Sequence, residues 1–388
     1  MKKLMFYCQH ILGMGHLVRS MEIVRGLTQQ FEVYFINGGE VVPGFVTPPQ
    51  VRVVNLPAIK TDSEFKELQL VDNTQTLEEV QELRKYQLLS IFKQIQPDCL
   101  VIELFPFGRR RFSFELIPLL EEATKGDTKV VCSLRDIVVN KQDQARHEAK
   151  VCKLINKYFN LVLIHGDPQF QTLAESFSRI DDLDCEVHYT GYVVQTEEDN
   201  KTLPKIKKPF ILASVGGGRF GHELLECVVE TASILETRIP HQILMFAGPF
   251  IPNEKYVELR NLAADCTNLE IYRYTPNLLA YMKAADLSIS MAGYNTTMNV
   301  LTTNVKAMML SFTGNDDQEQ TLRAKKLEQL GIIETIDNKE LIPEIFAQKV
   351  INCLNKPITK INFDLAGVAK SAEIIQQLVN VPCVISKN

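Results

Sequence analysis

The sequence predicts an α/β protein of two similar halves, each a parallel sheet covered by helices on both faces. Three observations lead there. Short apolar runs alternate with helix-period segments from the N-terminus to about residue 195, and such alternation builds parallel sheets buried on both sides. A polar, charged, proline-punctuated stretch from Val194 to Pro209 (VQTEEDNKTLPKIKKP) then interrupts the pattern as an interdomain linker does. After it the alternation restarts, and in both halves a glycine-rich turn follows the first strand. The division expected is an N-terminal domain over 1–195, a linker over 196–208, a C-terminal domain over 209–365, and a closing segment over 366–388 whose helix packs back toward the N-terminal domain.

The elements follow in order. Expected strands of the first half are Leu4–Cys8, Glu32–Ile36, Val51–Asn55, Cys99–Glu103, Lys129–Ser133, Leu161–Ile164 and Glu186–Tyr189. Leu17, Met21, Val24 and Leu27 recur at helical spacing after the first of them. The longest helical pattern runs from about Thr76 to Gln94, with Leu77, Val80, Leu83 and Leu88 on its apolar stripe. In the second half the expected strands are Phe210–Ser214, Gln242–Phe246, Leu269–Tyr272, Leu287–Ser290 and Ala307–Ser311, and helices close the chain at about Glu340–Leu354 and Val368–Val379.

Composition narrows the function classes. With 388 residues, 45% of them apolar, the chain has ample material for two cores. A net charge of −5 argues against a general nucleic-acid binder. Nine cysteines lie scattered without C-x-x-C or Cys/His ligand spacing, the pattern of free thiols in a reducing compartment. No apolar run reaches the roughly 18 residues of a membrane span. The opening MKKLMFYCQH is interrupted by Gln9 and His10 and reads as the first strand rather than a signal peptide. The expected location is cytoplasmic, with peripheral membrane contact left open.

Chemistry gathers at strand ends. In ILGMGHLVRS, Gly13, Gly15 and His16 form a turn into a helix, where backbone N–H groups attract anions; a plain structural turn fits the same residues. SVGGGRFG places Gly216, Gly218 and Gly221 at G-x-G-x-x-G spacing between a strand and a helix, with Glu236 downstream. That context suits a phosphate or diphosphate, and by itself also a nicotinamide cofactor. SMAGYNTT brings Gly293, Tyr294, Asn295 and Thr296 to another helix start, and Asp316, Asp317, Gln318, Glu319 and Gln320 stand at a third. Ordinary capping explains each of these alone. All lie at carboxyl ends of strands, the edge where open α/β sheets bind ligands. In the first half Glu103, Asp136, His165 and Asp167 end strands, while Arg109, Arg110, Arg111 and Arg135 offer contacts for an anionic acceptor. The run Asp181 to Asp184 reads as a polar loop rather than a metal site.

The stretches GMGHLVRS, PDCLVIELFPFGRR, SLRDI, HGDP, YTGYVV, SVGGG, AADLSISMAGYNT and EQTLRAKKLEQLG, in that order along nearly the whole chain, resemble a GT-B glycosyltransferase. More narrowly they are similar to a family of predicted glycosyl transferases related to the peptidoglycan lipid-intermediate GlcNAc transferase. The resemblance implies two Rossmann-like domains facing across a cleft. It implies that Gly216, Gly217, Gly218 and Arg219 face the diphosphate of a nucleotide-sugar, that Tyr274 in the RYTPN loop lies near the base, and that Gly293 to Thr296 sit by ribose or phosphate. Glu319 and Gln320 match the pair that contacts the donor sugar. Gly13 and Gly15 would bring His16 to the reacting centre as the first candidate base, followed by Glu103 and Asp136, with Arg109 and Arg135 on the acceptor side.

The expected reaction is transfer of a sugar, UDP-linked, of hexosyl or N-acetylhexosaminyl type, to a hydroxyl on an unidentified carbohydrate, lipid or small-molecule acceptor. It is expected to invert configuration and to need neither metal nor resident cofactor, the nucleotide-sugar being a co-substrate. One departure stands out: Asn299 occupies the place of the family's ribose-binding glutamate. A nucleotide-sugar hydrolase or epimerase of the same fold, or a non-catalytic nucleotide-sugar-binding partner, fits the same residues.

Overall fold

The computed structural model describes residues 1–11, 13–61, 67–71, 75–139, 143–196, 209–312, 314 and 318–380. All but the first residue of the expected linker, together with Asp316, Asp317 and the last eight residues of the closing segment, lie outside that set.

The first half contains strands β1 (Lys2–Cys8), β2 (Phe31–Asn37), β3 (Arg52–Asn55), β4 (Ile59–Thr61), β5 (Leu68–Leu70), β6 (Cys99–Glu103), β7 (Lys129–Arg135), β8 (Leu161–His165) and β9 (Glu186–Tyr189). Its helices are α1 (Gly15–Leu27), α2 (Leu77–Ile95), α3 (Ser113–Ala123) and α4 (Gln144–Tyr158). The second half adds β10 (Phe210–Ser214), β11 (Gln242–Phe246), β12 (Leu269–Tyr272), β13 (Leu287–Met291), β14 (Ala307–Leu310) and β15 (Glu334–Ile336). Its helices are α5 (His222–Glu236), α6 (Asn253–Leu262), α7 (Leu278–Ala284), α8 (Tyr294–Thr303), α9 (Glu319–Gln329), α10 (Pro343–Asn355) and α11 (Gly367–Asn380).

Two parallel sheets result, ordered β3-β2-β1-β6-β7-β8-β9 and β12-β11-β10-β13-β14-β15. In each, the chain first builds outward to one side of its opening strand and then returns to the other. The strand order therefore reverses between β1 and β6 and between β10 and β13, and the crevice at such a point is where these sheets take ligands.

The pleat divides each core in two. In β1, Met5 and Tyr7 face α2 and α3, while Leu4, Phe6 and Cys8 face α1, as a period of two requires. In β10, Ile211 and Ala213 join the α5 and α10 side, and Phe210 and Leu212 the α8 and α9 side. The long helix α2 starts where Thr76 and Glu79 form a reciprocal capping box, and it ends at Gln96 in the left-handed conformation, just before Pro97.

The halves are stitched by more than a linker. Tyr192 donates its N–H to Asp364 O at 2.7 Å and accepts from Gly367 N at 3.0 Å. This leads α11 onto α1, where Ala372, Ile375 and Val379 join the cluster of Leu17, Met21 and Val24. Gly26 on α1 allows the approach, because a Cβ there would stand 2.5 Å from Val368 Cγ1. Two features were absent from the sequence reading: the antiparallel β4–β5 hairpin and the edge strand β15. Each of these strands has three residues, too few for a period of two to declare itself. No helix among the described residues is long and apolar enough to cross a membrane.

Because Ile375 is fully buried at the α11–α1 seam, Ile375→Ala is expected to lower unfolding stability by about 3 kcal/mol. Urea titration followed by circular dichroism checks this.

Candidate active site

The two reversal points face one another across a single cavity of about 1310 Å³. Three helix starts line it: α1 with Gly13 to His16, α5 with the turn Gly216 to Phe220, and α8 with Gly293 to Thr296. A helix start carries unpaired N–H groups and the positive end of the helix dipole, so the cavity is furnished for an anion. The glycines divide by role. Gly216, at φ +64°, has open space where a Cβ would be, and a Cβ on Gly217 would lie 3.8 Å from Gly13 Cα of the opposing turn. Gly218, at φ +84°, packs instead against Ala247 O, 2.5 Å from a built Cβ. Two of the three glycines thus open to the cavity and the third closes the loop on β11.

His16 projects from the first turn of α1 into this space. Its Nδ1 donates to Glu103 Oε1 at 2.7 Å, which fixes the tautomer and leaves Nε2 as the free acceptor. Glu103 ends β6, is 1% exposed, and also receives Arg19 Nη2. Burial, against the pull of Glu103 and reinforced by Arg109 and Arg19, lowers the His16 pKa to about 3, so the ring is neutral at neutral pH. Burial works the other way on Glu103, yet its interaction and hydrogen bond with His16, followed by the charges of Arg19 and Arg109, prevail and hold its carboxyl at about 2. Glu103 is therefore the ionised orienter of His16 rather than a rival base.

Asp136 is not placed to act as a base. It is fully buried, does not line the cavity, and receives Arg323 Nη2 at 2.7 Å and Nε at 3.2 Å. Glu319, matched above to a sugar contact, has its carboxylate occupied: Arg135 Nη1 lies 2.5 Å from Oε2 and Arg323 Nη2 2.7 Å from Oε1. A carboxylate so held has little left for a hydroxyl. Arg135 and Asp136 belong to the first half, Glu319 and Arg323 to the second. These four residues form a buried bridge between the halves, and Arg135, though lining the cavity, is committed to it. Gln320 does line the cavity, its Oε1 accepting from Phe312 N at 3.0 Å.

Arg110, Arg111, His165 and Asp167 do not line the cavity: Arg110 bonds His147, His165 lies between Ser133 and Thr190, and Asp167 accepts from Asp364 N. Arg109, Arg219, Tyr274 and Gly293 to Thr296 do, several of them with interdomain partners. Asn295 Nδ2 donates to Gly15 O at 2.8 Å. Arg219 pairs with Glu40 and lies 4.6 Å over the Phe250 ring. Tyr294 is 7% exposed and its hydroxyl donates to His165 O at 3.1 Å. Thr296 and Tyr274 flank the cavity, and the Tyr274 loop is held by Arg273, which donates to Ile251 O at 3.1 Å and to Asn253 Oδ1 at 2.9 Å. Arg109 lines the cavity from the first half in the left-handed conformation, φ +56°, with Nε donating to Gln9 O at 2.7 Å. Asn299 also reaches the cavity: its Nδ2 donates to Gln195 Oε1 at 2.8 Å, and its buried Oδ1 has no partner among the described residues. Glu236, the acid that completed the dinucleotide pattern, is the last residue of α5 and outside the cavity lining, so the nicotinamide reading loses its ribose contact.

Sequence reasoning missed Arg19, Arg323 and Gln195. Arg323 carried a signal, being a charged residue on the stripe of Ala324 and Leu327; Arg19 carried none, since it lies on α1 away from the stripe of Leu17, Met21, Val24 and Leu27. In the Asp181 to Asp184 run, Asp182 pairs with Arg179, and no metal-binding cluster occurs among the described residues.

Burial also lowers the pKa of His10 to about 4 and of His165 to about 3. Their folded values lie below the unfolded value near 6.5, so the unfolded chain takes up protons first. Stability is expected to be full above about pH 6.5 and to fall below it by about 1.4 kcal/mol per pH unit for each ring, His10 ceasing to add near pH 4 and His165, like His16, near pH 3. The urea midpoint measured against pH checks this.

The comparisons with known proteins agree with the geometry. Residues 212–378 match the Glycosyltransferase family 28 C-terminal domain. The UDP-N-acetylglucosamine–N-acetylmuramyl-(pentapeptide) pyrophosphoryl-undecaprenol N-acetylglucosamine transferase of Sulfurihydrogenibium sp. is 24% identical over 43% of this chain and 45% of its own. An uncharacterized glycosyltransferase of Methanosarcina acetivorans is 22% identical over 85% of this chain and 84% of its own. The chain spans about half the length of most curated relatives it matches. Among solved structures, Acinetobacter baumannii MurG superposes with a TM-score of 0.56 at 16% identity, covering 98% of this chain and 99% of that one. Two facing parallel-sheet domains thus give the chain the GT-B fold of the solved glycosyltransferases, and its second half is similar to the family 28 C-terminal domain.

Proposed function

We propose that the protein transfers a sugar from a nucleotide-sugar, UDP-linked, to an acceptor hydroxyl, with inversion and without a metal. The observation that carries this reading is His16, bonded to the buried Glu103, lining one cavity with the open glycine turn of α5. In the reaction, the acceptor oxygen forms a bond to the anomeric carbon while the bond from that carbon to the phosphate oxygen breaks. The hydroxyl proton passes to His16 Nε2, and the electron pair leaves with the nucleoside diphosphate. Glu103 stabilises the imidazolium that forms, as a buried carboxylate does behind a catalytic imidazole. N–H groups at Gly216, Gly217 and the start of α8 meet the charge that develops on the diphosphate. Attack from the face opposite the leaving group inverts the anomeric centre.

The relatives named above support a nucleotide-sugar of the UDP type, and the loop carrying Tyr274 is the place for its base. The acceptor lies on the first half's wall, beside Leu104, Phe107, Val138 and Arg109. Enclosure by both halves limits hydrolysis of the bound sugar donor.

A thermal-shift panel of nucleotide-sugars tests the reading, the true sugar donor raising the melting temperature by mass action. Once turnover is found with an acceptor, His16→Ala is expected to cut kcat by about 100-fold or more with little change in the KM of the sugar donor. Steady-state kinetics reads this, and EDTA is expected to leave the rate unchanged. Rapid release of free sugar in the absence of any acceptor would favour a hydrolase instead.

A further inference from the structure

We propose that Tyr294 and Arg19 act as a positioning pair that seats the His16–Glu103 base only while the second half is docked on the first. This rests on the reading of His16 as the base and adds a condition for its action.

Arg19 lies on α1, is 2% exposed, and donates through Nη2 to the same Glu103 oxygen that accepts His16 Nδ1–H, standing 3.5 Å from Nδ1 itself. Its Cζ lies 5.1 Å from the centroid of the Tyr294 ring, and its buried Nε has no hydrogen-bond partner among the described residues. The aromatic ring is thus a wall of the guanidinium's seat, through a cation–π contact. Tyr294 comes from α8, in the other half. Its hydroxyl donates to His165 O at 3.1 Å and accepts from Val193 N at 3.2 Å, both in the first half. A second guanidinium, Arg323 of the interdomain bridge, lies 5.3 Å from the same ring. The helix start that faces the sugar donor is therefore also the one that fixes Arg19.

The charges facing His16 are Glu103 from β6, Arg109 from the turn after β6, and Arg19 from α1. The two arginines oppose an imidazolium and the carboxylate favours it. If α8 withdraws, Arg19 loses the ring and moves off Glu103. The carboxylate then acts on the imidazole with less opposition, and the ring takes a proton at a higher pH. The docked second half therefore keeps His16 neutral, and able to accept a proton, to a lower pH than the first half does without it.

The test needs no substrate. Side-chain 1H–15N NMR follows His16, assigned by loss of its signal in His16→Gln, from about pH 8 down to the onset of acid unfolding. In the wild type His16 is expected to stay neutral, with its proton on Nδ1. Tyr294→Leu and Arg19→Gln are expected to raise the His16 midpoint by more than about one pH unit, a tenfold gain in proton affinity. Tyr294→Phe, which keeps the ring, is expected to titrate as the wild type does. If Tyr294→Leu does not fold, Tyr294→Met fills the space without a π face and serves the same comparison. An unchanged midpoint in the folded Tyr294→Leu or Tyr294→Met protein, or an equal rise in Tyr294→Phe, would overturn the proposal. Unchanged turnover in His16→Ala would instead sink the base assignment while leaving the titration result standing.

Discussion

The bridge Asp136–Arg323–Glu319–Arg135 is the constraint on which the rest of the architecture depends. It joins the carboxyl end of β7 to the first turns of α9, and it lies almost wholly out of water. A guanidinium buried between two carboxylates is tolerable only if the charges stay together, since losing one partner strands another at a cost of about 3–5 kcal/mol. Arg323 has a carboxylate on each half to satisfy, so its bonds define one relative placement of the sheets. From that placement follow the hydrogen bond of Asn295 to Gly15 and the insertion of Tyr294 toward His165.

Such an interface makes one cleft from the crevices of two sheets. Each sheet supplies a crevice where its strand order reverses, but an anion at one crevice has no reaction to undergo. Docking sets the glycine turn of α5 against the turn of α1, with Gly217 opposite Gly13. One side then offers backbone N–H groups for negative charge, the other a neutral imidazole. The two sides are electrostatically different because their charged residues are spent differently. Glu103 is consumed in orienting His16, whereas Glu319 and Asp136 are consumed in holding the halves together.

Much of this was legible in the sequence. Apolar runs in the strands and the glycine turns after β1, β10 and β13 identified the class and the edge of the sheets where a site would form. Cys99–Glu103 and Phe210–Ser214 were found to the residue, because strands buried on both faces read as nearly continuous apolar runs. His16 and Glu103 were singled out separately, yet their contact was not legible: 87 residues separate them and only the strand order brings them together. The same limit misassigned Asp136 and Glu319. A sequence shows that an acid ends a strand or starts a helix, but not whether an arginine from the other half, here Arg323, already occupies it. Arg19 and Arg323 were not singled out: Arg323 sits beside Ala324 and Leu327 on the buried face of α9, but Arg19 lies off the apolar stripe of α1, where Tyr294 of the second half packs on it. The three-residue strands β4, β5 and β15 were missed because too little pattern fits in so short a run.

The return of α11 to α1 means that the first half borrows part of its core from the far end of the polypeptide. Ala372, Ile375 and Val379 come after all of β10 to β15 in the order of synthesis. During translation, then, the part of the α1 layer that packs on α11 stays uncovered until α11 leaves the ribosome, and exposed apolar surface of that kind invites aggregation or chaperone capture. The second half, whose sheet lies between the two ends of this arrangement, folds as an insertion within its neighbour. A nascent chain halted before residue 367 is thus a protein with two formed sheets and one unfinished core.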